Sequence, residues 1–242
     1  MKVISLFSGA GGMDIGFEQA GFEIVLAVEK DLACCNTLKK NKPDLNVLQG
    51  DVSELTGKEI LNLANLKRTE AAMVIGGPPC QSFSLAGKRK GMDDERGKLV
   101  LEFARLVKEI LPVAFVMENV KGMVNWNNGA AIQEIIASFE TKIPYQGLDY
   151  SYSVKNEVLN GANFGLPQFR ERLFLVGNRV GVKYSFPKPT HGPNSGLNLF
   201  DDLKEYNSVW DAIGHLPPAQ EPSDNAKRIA KTIEKRIEVH GY

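Results

Sequence analysis

The chain has 242 residues, of which 43% are hydrophobic and 24% charged, a composition typical of a globular protein with room for one α/β domain or one domain plus an appendage. Its 29 basic and 29 acidic side chains cancel, which excludes polyanion binding through a global positive field but not through a local basic patch. The three cysteines, Cys34, Cys35 and Cys80, cannot form a disulfide framework, and the three histidines lie far from them in sequence, so we expect a reducing compartment and no metal site.

Strand and helix patterns alternate from the first residue. The run from Val3 to Phe7 is too short for a signal peptide, and no segment approaches the ~20 apolar residues of a membrane helix. We therefore expect a cytoplasmic protein without membrane contact. The predicted elements are strand 2–7, helix 13–20, strand 23–28, helix 32–40, strand 46–49, helix 58–66, strand 71–75, helix 98–110, strand 114–117, helix 130–139 and strands 150–159 and 172–176.

This repeated β-α-β order predicts an α/β fold with a mostly parallel sheet and helices on both faces. The pattern changes after Val176: residues 188–198 indicate an irregular connection, and Val209 to Ile213 a short helical turn. Residues 226–239 form an amphipathic helix pattern whose polar face is basic. That face fits either a solvated surface or an edge that contacts phosphates.

A glycine-rich turn, Phe7 to Gly12, follows the first strand and precedes a helix, which lets a ligand approach the backbone closely. Glu29 ends the second strand and could accept hydrogen bonds from ribose hydroxyls, and Asp51 follows the third strand, where it could meet an adenine amino group. Because the turn departs from G-x-G-x-x-G and offers no pyrophosphate cradle, the pattern favours S-adenosylmethionine over NAD.

Cys80 lies in the segment G-G-P-P-C-Q-S-F-S, directly after the strand 71–75. The carboxyl end of a strand in an open α/β sheet is where ligands bind, and Pro78 and Pro79 restrict the backbone ahead of the thiol. This setting favours a reactive cysteine over a buried, inert one.

Two further groups end or open strands. Glu118 follows the apolar strand 114–117 and fits either a proton donor with a raised pKa or a carboxylate that caps or pairs. Arg170 and Arg172 occupy alternate positions of an extended segment, so their side chains point the same way and could hold a carboxylate, a phosphate or a substrate carbonyl.

In this order the motifs F-S-G-A-G-G, P-P-C-Q-S-F-S, E-N-V and Q-x-R-x-R resemble the DNA (cytosine-5)-methyltransferase family over residues 2–177. The resemblance implies a Rossmann-like S-adenosylmethionine-dependent methyltransferase fold whose last strand is antiparallel. It implies transfer of a methyl group to carbon 5 of a cytosine flipped out of double-stranded DNA, in a bacterial or phage restriction-modification system.

The resemblance also assigns roles. Cys80 would be the nucleophile that attacks carbon 6, Glu118 would hold the base and assist protonation at N3, and Arg170 and Arg172 would orient the base and the catalytic loop. The expected cofactor-binding residues are Phe7, Ser8, Gly9, Ala10, Gly11, Gly12, Glu29, Lys30, Asp51, Val52 and Pro79.

The basic, glycine-hinged segment 85–91 follows the cysteine motif and fits a loop that closes over a flipped base, although a solvated turn has the same composition. The expected DNA-binding residues are Gln81, Ser82, Ser84, Lys88, Arg89 and Lys90.

The family's recognition region and closing motifs have no counterpart after Val176. We therefore expect a catalytic domain over residues 1–180 and, over residues 181–242, a connection toward an absent or incomplete recognition region. Either a second subunit supplies the rest or the gene is truncated. RNA cytosine methylation and an inactive remnant that binds DNA or cofactor stay open as alternatives, while an NAD-dependent oxidoreductase fits least well.

Overall fold

The computed structural model describes residues 1–79, 95–193, 203–216 and 223–240, with the backbone alone at 95–97, 127, 128 and 235–240. A seven-stranded sheet in the order β3-β2-β1-β4-β5-β9-β8 organises the chain. The strands are β1 (Lys2–Leu6), β2 (Glu23–Glu29), β3 (Val47–Gln49), β4 (Met73–Gly76), β5 (Ala114–Val120), β6 (Ile143–Tyr145), β7 (Leu148–Tyr150), β8 (Ser153–Asn160), β9 (Glu171–Asn178), β10 (His191–Gly192) and β11 (Lys204–Glu205).

Helices connect the parallel strands. They are α1 (Gly12–Gln19), α2 (Leu32–Asn41), α3 (Gly57–Leu63), α4 (Glu95–Ile110), α5 (Ala130–Glu140), α6 (Val209–Ile213) and α7 (Asp224–His240). Two of their starts are capped by side chains, as the sequence favours. The Asp31 carboxylate accepts the Cys34 N–H at the start of α2, and Thr56 and Glu59 form a reciprocal capping box at α3.

The strand directions confirm the predicted fold class. β1 to β5 pair in parallel, whereas β9 lies between β5 and β8 and is antiparallel to both. The sequence patterns missed the hairpin of β6 and β7. Its turn residues, Gln146 and Gly147, have φ of 50° and 78°, the two positive values that a tight hairpin turn needs, but Gln-Gly is a weaker signal than Asn-Gly.

Both faces of the sheet are covered. The larger core lies under α3, α4 and α5, where the rings of Phe115 and Phe139 stack with centroids 4.1 Å apart and Phe103 and Tyr152 pack edge-on against Phe115. The buried Tyr152 hydroxyl donates to the Pro112 carbonyl at 2.7 Å, so its polar end costs little to bury. On the other face a smaller group, including Val3, Ile24 and Ile75, packs under α1.

The segments after β9 bury less of their apolar surface. In α6 the side chains of Val209, Trp210 and Ile213 are 59%, 77% and 53% exposed, and α7 exposes Ile229 and Ile233. The division into 1–180 and 181–242 stays a prediction. Among the described residues, no helix is long and apolar enough to cross a membrane.

Gly177 provides a test of the packing between β9 and the core. A Cβ atom there would lie 2.3 Å from the Phe115 ring. We expect Gly177→Ala to lower the free energy of unfolding by about 1–3 kcal/mol, the range for overpacked cores, as measured by urea denaturation. Gly16→Ala is the matched control, because nothing lies within 4 Å of that Cβ position in α1 and alanine favours the helix. Equal stability of the two variants would contradict this packing.

Candidate active site

The predicted site residues meet at one edge of the sheet because their strands run in parallel. Leu6, the last residue of β1, is in register with Val28 of β2 and Gly76 of β4, and Gly76 is in register with Met117 of β5. The segments that follow these strands therefore leave the sheet side by side.

The glycine-rich turn after β1 has an unusual backbone. Phe7, Gly9 and Gly11 have φ of 53°, 54° and 86°, in the left-handed region that disfavours side chains. Gly11 requires glycine on two counts, because a Cβ there would also lie 2.8 Å from a methyl group of Leu38. The turn is closed by a hydrogen bond from the Gly11 N–H to the Ser8 carbonyl at 3.0 Å.

Glu29 links this turn to the end of β2. One carboxylate oxygen accepts the Gly9 N–H and the other accepts the Asp31 N–H, both at 2.8 Å. A carboxylate has about four acceptor positions, so each oxygen keeps capacity for a ligand hydroxyl. The backbone amides fix where that capacity points.

Asp51 is held by its neighbours. Its carboxylate pairs with the Lys30 ammonium at 2.6 Å and accepts the Ser53 hydroxyl at 2.7 Å. These contacts, the Lys30 hydrogen bond first, lower the pKa of Asp51 to about 2. Asp51 is therefore an anion at neutral pH, and a ligand donor would share it with Lys30.

These residues surround a cavity of about 310 Å³. Its lining residues are Phe7, Gly9, Val28, Glu29, Lys30, Gly50, Asp51, Val52, Gly77, Pro79 and Leu99. Of the predicted cofactor-binding residues, Ser8, Ala10, Gly11 and Gly12 are outside this lining. The Ser8 hydroxyl instead lies 2.9 Å from the Ser5 hydroxyl, while Gly11 faces Leu38.

The backbone leading toward Cys80 is fixed by two tight approaches. A Cβ at Gly76 would lie 2.4 Å from the Leu6 carbonyl oxygen, so β1 and β4 need glycine there. The buried Asn119 side chain donates to the Pro78 carbonyl at 3.2 Å, which ties the end of β5 to the proline segment. Cys80 itself, with Gln81, Ser82, Ser84, Lys88, Arg89 and Lys90, lies outside the described residues.

Glu118 forms an ion pair with Arg172 across β5 and β9. The Arg172 Nε lies 2.7 Å from the Glu118 Oε1, and both side chains are about three-quarters buried, with 26% and 25% exposed. Burial raises the pKa of Glu118, while the charges of Arg172 and, to a lesser degree, Arg170 oppose that rise. The net direction is upward, so the carboxyl is easier to protonate than a free glutamate.

Gly77 joins the two halves of the site. It lines the cavity, and a Cβ there would lie 3.1 Å from the Glu118 Oε2. The cavity and the Glu118 carboxyl thus share a wall, with Pro79 beside it. Arg170 is exposed and its backbone N–H donates to the Asn160 side chain at 3.0 Å.

Sequence reasoning missed Val28, Gly50, Gly77, Leu99 and the anchoring role of Asn119. Gly77 and Asn119 stand within motifs that had been recognised, so their contribution was available from the pattern. Leu99 lies in α4, far in sequence from the other lining residues, and only the folded chain places it there. Within the described ranges, no three His, Cys, Asp or Glu side chains gather in a way that could hold a metal ion.

Comparison with known proteins places this arrangement in context. The family model of C-5 cytosine-specific DNA methylases matches residues 1–240. The chain is 56% identical to the Type II methyltransferase M.AquIA of Picosynechococcus over all of this chain and 99% of that protein. It is 43% identical to the Type II methyltransferase M1.HphI of Haemophilus parahaemolyticus over 90% of this chain and 53% of that protein.

A solved structure agrees. A prophage-encoded Escherichia coli protein described as a DNA modification methyltransferase superposes with a TM-score of 0.69 at 29% identity, covering 90% of this chain and 56% of that one. The chain thus spans nearly the full length of one relative and about half of the two others.

Arg172 offers a test of the site's electrostatics. Replacing it in Arg172→Gln removes the largest effect that lowers the pKa of Glu118, so we expect that pKa to rise further. Carboxyl-carbon NMR of glutamate-labelled protein measures it, with Glu118→Gln assigning the signal. Lys121→Gln is the control, because Lys121 pairs with Glu171. A pKa of Glu118 that falls or stays constant in Arg172→Gln would contradict the assigned balance.

Proposed function

The chain belongs to the family of C-5 cytosine-specific DNA methylases, and we propose that it transfers a methyl group from S-adenosylmethionine to carbon 5 of cytosine in double-stranded DNA within a Type II restriction-modification system. The resemblance read from its motifs and its class as a DNA cytosine-5 methyltransferase are confirmed. One observation carries the proposal furthest: a buried, readily protonated Glu118 shares the Gly77 wall with a cavity suited to adenosine.

The cavity fits S-adenosylmethionine, which supplies the methyl group when bound. Phe7, Val52, Leu99 and Pro79 offer apolar surface, whereas Glu29 and Asp51 offer acceptors for hydroxyl and amino donors. Two carboxylates against one ammonium, that of Lys30, repel phosphates and favour a cationic ligand. This charge balance supports a sulfonium cofactor over NAD.

The chemistry requires a thiol and an acid on one flat ring. In the proposed mechanism the Cys80 thiolate forms a bond to carbon 6 while the Glu118 carboxyl gives its proton to N3, and the ring electrons shift to make carbon 5 nucleophilic. Carbon 5 takes the methyl group, a base removes the carbon 5 proton, and the electrons of that C–H bond expel the thiolate. Arg172 lies where it can orient Glu118 and then balance its negative charge.

A duplex buries the ring face that the thiolate must reach, so the cytosine has to be flipped out at a cost of a few kcal/mol. We assign phosphate contacts to Lys88, Arg89 and Lys90 and base contacts to Gln81, Ser82 and Ser84, on the motif alone. The RNA alternative uses the same cysteine chemistry. The names of the relatives favour DNA, and an inactive remnant would have no need for Glu118, Arg170 and Arg172 together.

We propose further that selection of the target sequence needs polypeptide beyond this chain, supplied by a second subunit or by the remainder of a longer protein. The chain covers 53% of M1.HphI, so such relatives contain a comparable length of further sequence. The apolar face of α6, with Trp210 77% exposed, is a surface that such a segment could cover.

DNA containing 5-fluorocytosine tests the cysteine mechanism. Fluorine at carbon 5 blocks the final elimination, so a covalent adduct should accumulate with S-adenosylmethionine and be detected by denaturing gel and mass spectrometry. We expect Cys80→Ser to abolish the adduct. Cys35→Ser is the matched control because the Cys35 thiol lies in α2 and donates to the Glu29 carbonyl at 3.4 Å. An adduct in Cys80→Ser would contradict the assignment.

The isolated chain should methylate weakly or not at all, because the recognition function is proposed to lie elsewhere. Transfer of a tritiated methyl group to duplex DNA, with structured RNA as the parallel substrate, measures this. Addition of the polypeptide encoded next to the gene should restore transfer to DNA. Full, sequence-specific methylation by the chain alone would contradict the proposal, and preferential labelling of RNA would favour the alternative.

A further inference from the structure

Asp14 is a buried carboxyl that the proposed mechanism does not use. It lies in the first turn of α1 with its residue fully buried. One oxygen, Oδ1, accepts the Ser5 hydroxyl at 2.6 Å, while Oδ2 has no hydrogen-bond partner among the described residues. Desolvation of this kind is costly, so a packing role alone would be served as well by an apolar side chain.

Charges around Asp14 only partly offset this burial. Desolvation raises the pKa of Asp14, and the Ser5 hydroxyl and the Lys42 ammonium oppose that rise, whereas Glu18 adds to it. Lys42 pairs with Glu18 rather than with Asp14. The Ser5 hydrogen bond is thus the direct contact that Asp14 makes.

That contact continues to the cofactor turn. Because Ser5 donates its hydroxyl hydrogen to Asp14, its oxygen is free to accept the Ser8 hydroxyl, which lies 2.9 Å away. The Ser8 hydroxyl is also 3.2 Å from the Ser5 carbonyl oxygen, and the Ser8 backbone N–H donates to the Val28 carbonyl at 3.2 Å. Asp14 therefore sets the direction of a chain that runs from Ser8 through Ser5.

Ser8 is flanked by the residues that need such support. Phe7, with φ 53°, lines the cavity, and Gly9, with φ 54°, lines it from the other side. A bulky residue in the left-handed region is strained and persists only where its surroundings hold it. The hydrogen bonds of Ser8 lie directly beneath this strained pair.

We propose that Asp14 is a positioning residue for the cofactor cavity, which acts through Ser5 and Ser8 to hold the Phe7 to Gly9 turn in its ligand-contacting conformation. The inference rests on the proposed binding of S-adenosylmethionine in that cavity. It adds to the site a residue that touches no ligand and lies outside the cavity lining.

The test measures the Kd of S-adenosylhomocysteine by calorimetry with the full chain. Loss of one hydrogen bond in the chain should weaken binding about tenfold in Asp14→Ala and in Ser8→Ala. Asp14→Asn keeps an oxygen that accepts from Ser5, so it should bind within about twofold of wild type. Asp149→Asn is the carboxylate control, because Asp149 pairs with Lys142 in the β7 hairpin.

A double variant makes the test specific to the chain. If Asp14 acts through Ser8, adding Asp14→Ala to Ser8→Ala should weaken binding little further. Circular dichroism checks that each variant folds; if Asp14→Ala does not, Ser8→Ala and the combination of Ser8→Ala with Asp14→Asn carry the comparison.

The outcomes separate the two proposals. Wild-type affinity in folded Asp14→Ala, or equal weakening in Asp14→Asn and Asp14→Ala, would overturn the positioning role while leaving cofactor binding intact. If the wild-type chain itself fails to bind S-adenosylhomocysteine, the cofactor proposal fails and the role of Asp14 fails with it.

Discussion

Parallel pairing of β1, β4 and β5 is the constraint on which the site depends. It brings the glycine turn, the proline segment before Cys80 and Glu118 to one edge of the sheet. The pairing is close enough that Gly76 cannot carry a side chain, since a Cβ would lie 2.4 Å from the Leu6 carbonyl oxygen. The hydrogen bond from Asn119 to Pro78 then carries the alignment past the ends of the strands.

The site also depends on a balance between burial and charge at Glu118. Burial favours the protonated carboxyl, and the Arg172 guanidinium at 2.7 Å favours the anion. A proton donor needs both states within reach, because it must hold its proton before the reaction and tolerate the loss afterwards. Placing the arginine on the antiparallel strand β9, across from β5, provides this balance.

The sequence predicted the order of elements and the sheet edge well, because strand periodicity and turn residues are local signals. Glu29, Asp51 and Pro79 were placed in the cavity on the same grounds. Other features depend on the folded chain: Ser8 turned toward Ser5, Leu99 entered the lining from α4, and Lys30 paired with Asp51. Such contacts between distant positions leave no periodic trace. The β6–β7 hairpin was missed because its Gln-Gly turn is an uncommon choice.

The central claim is that the chemistry occurs at carbon 5 of cytosine in DNA. Duplex DNA labelled with tritium at that carbon tests it most directly, even when turnover is slow, because the mechanism must expel the carbon 5 hydrogen. The account predicts that tritium appears in water in step with methyl transfer from S-adenosylmethionine. Methyl transfer to cytosine without tritium release would place the methyl group on another atom and contradict it.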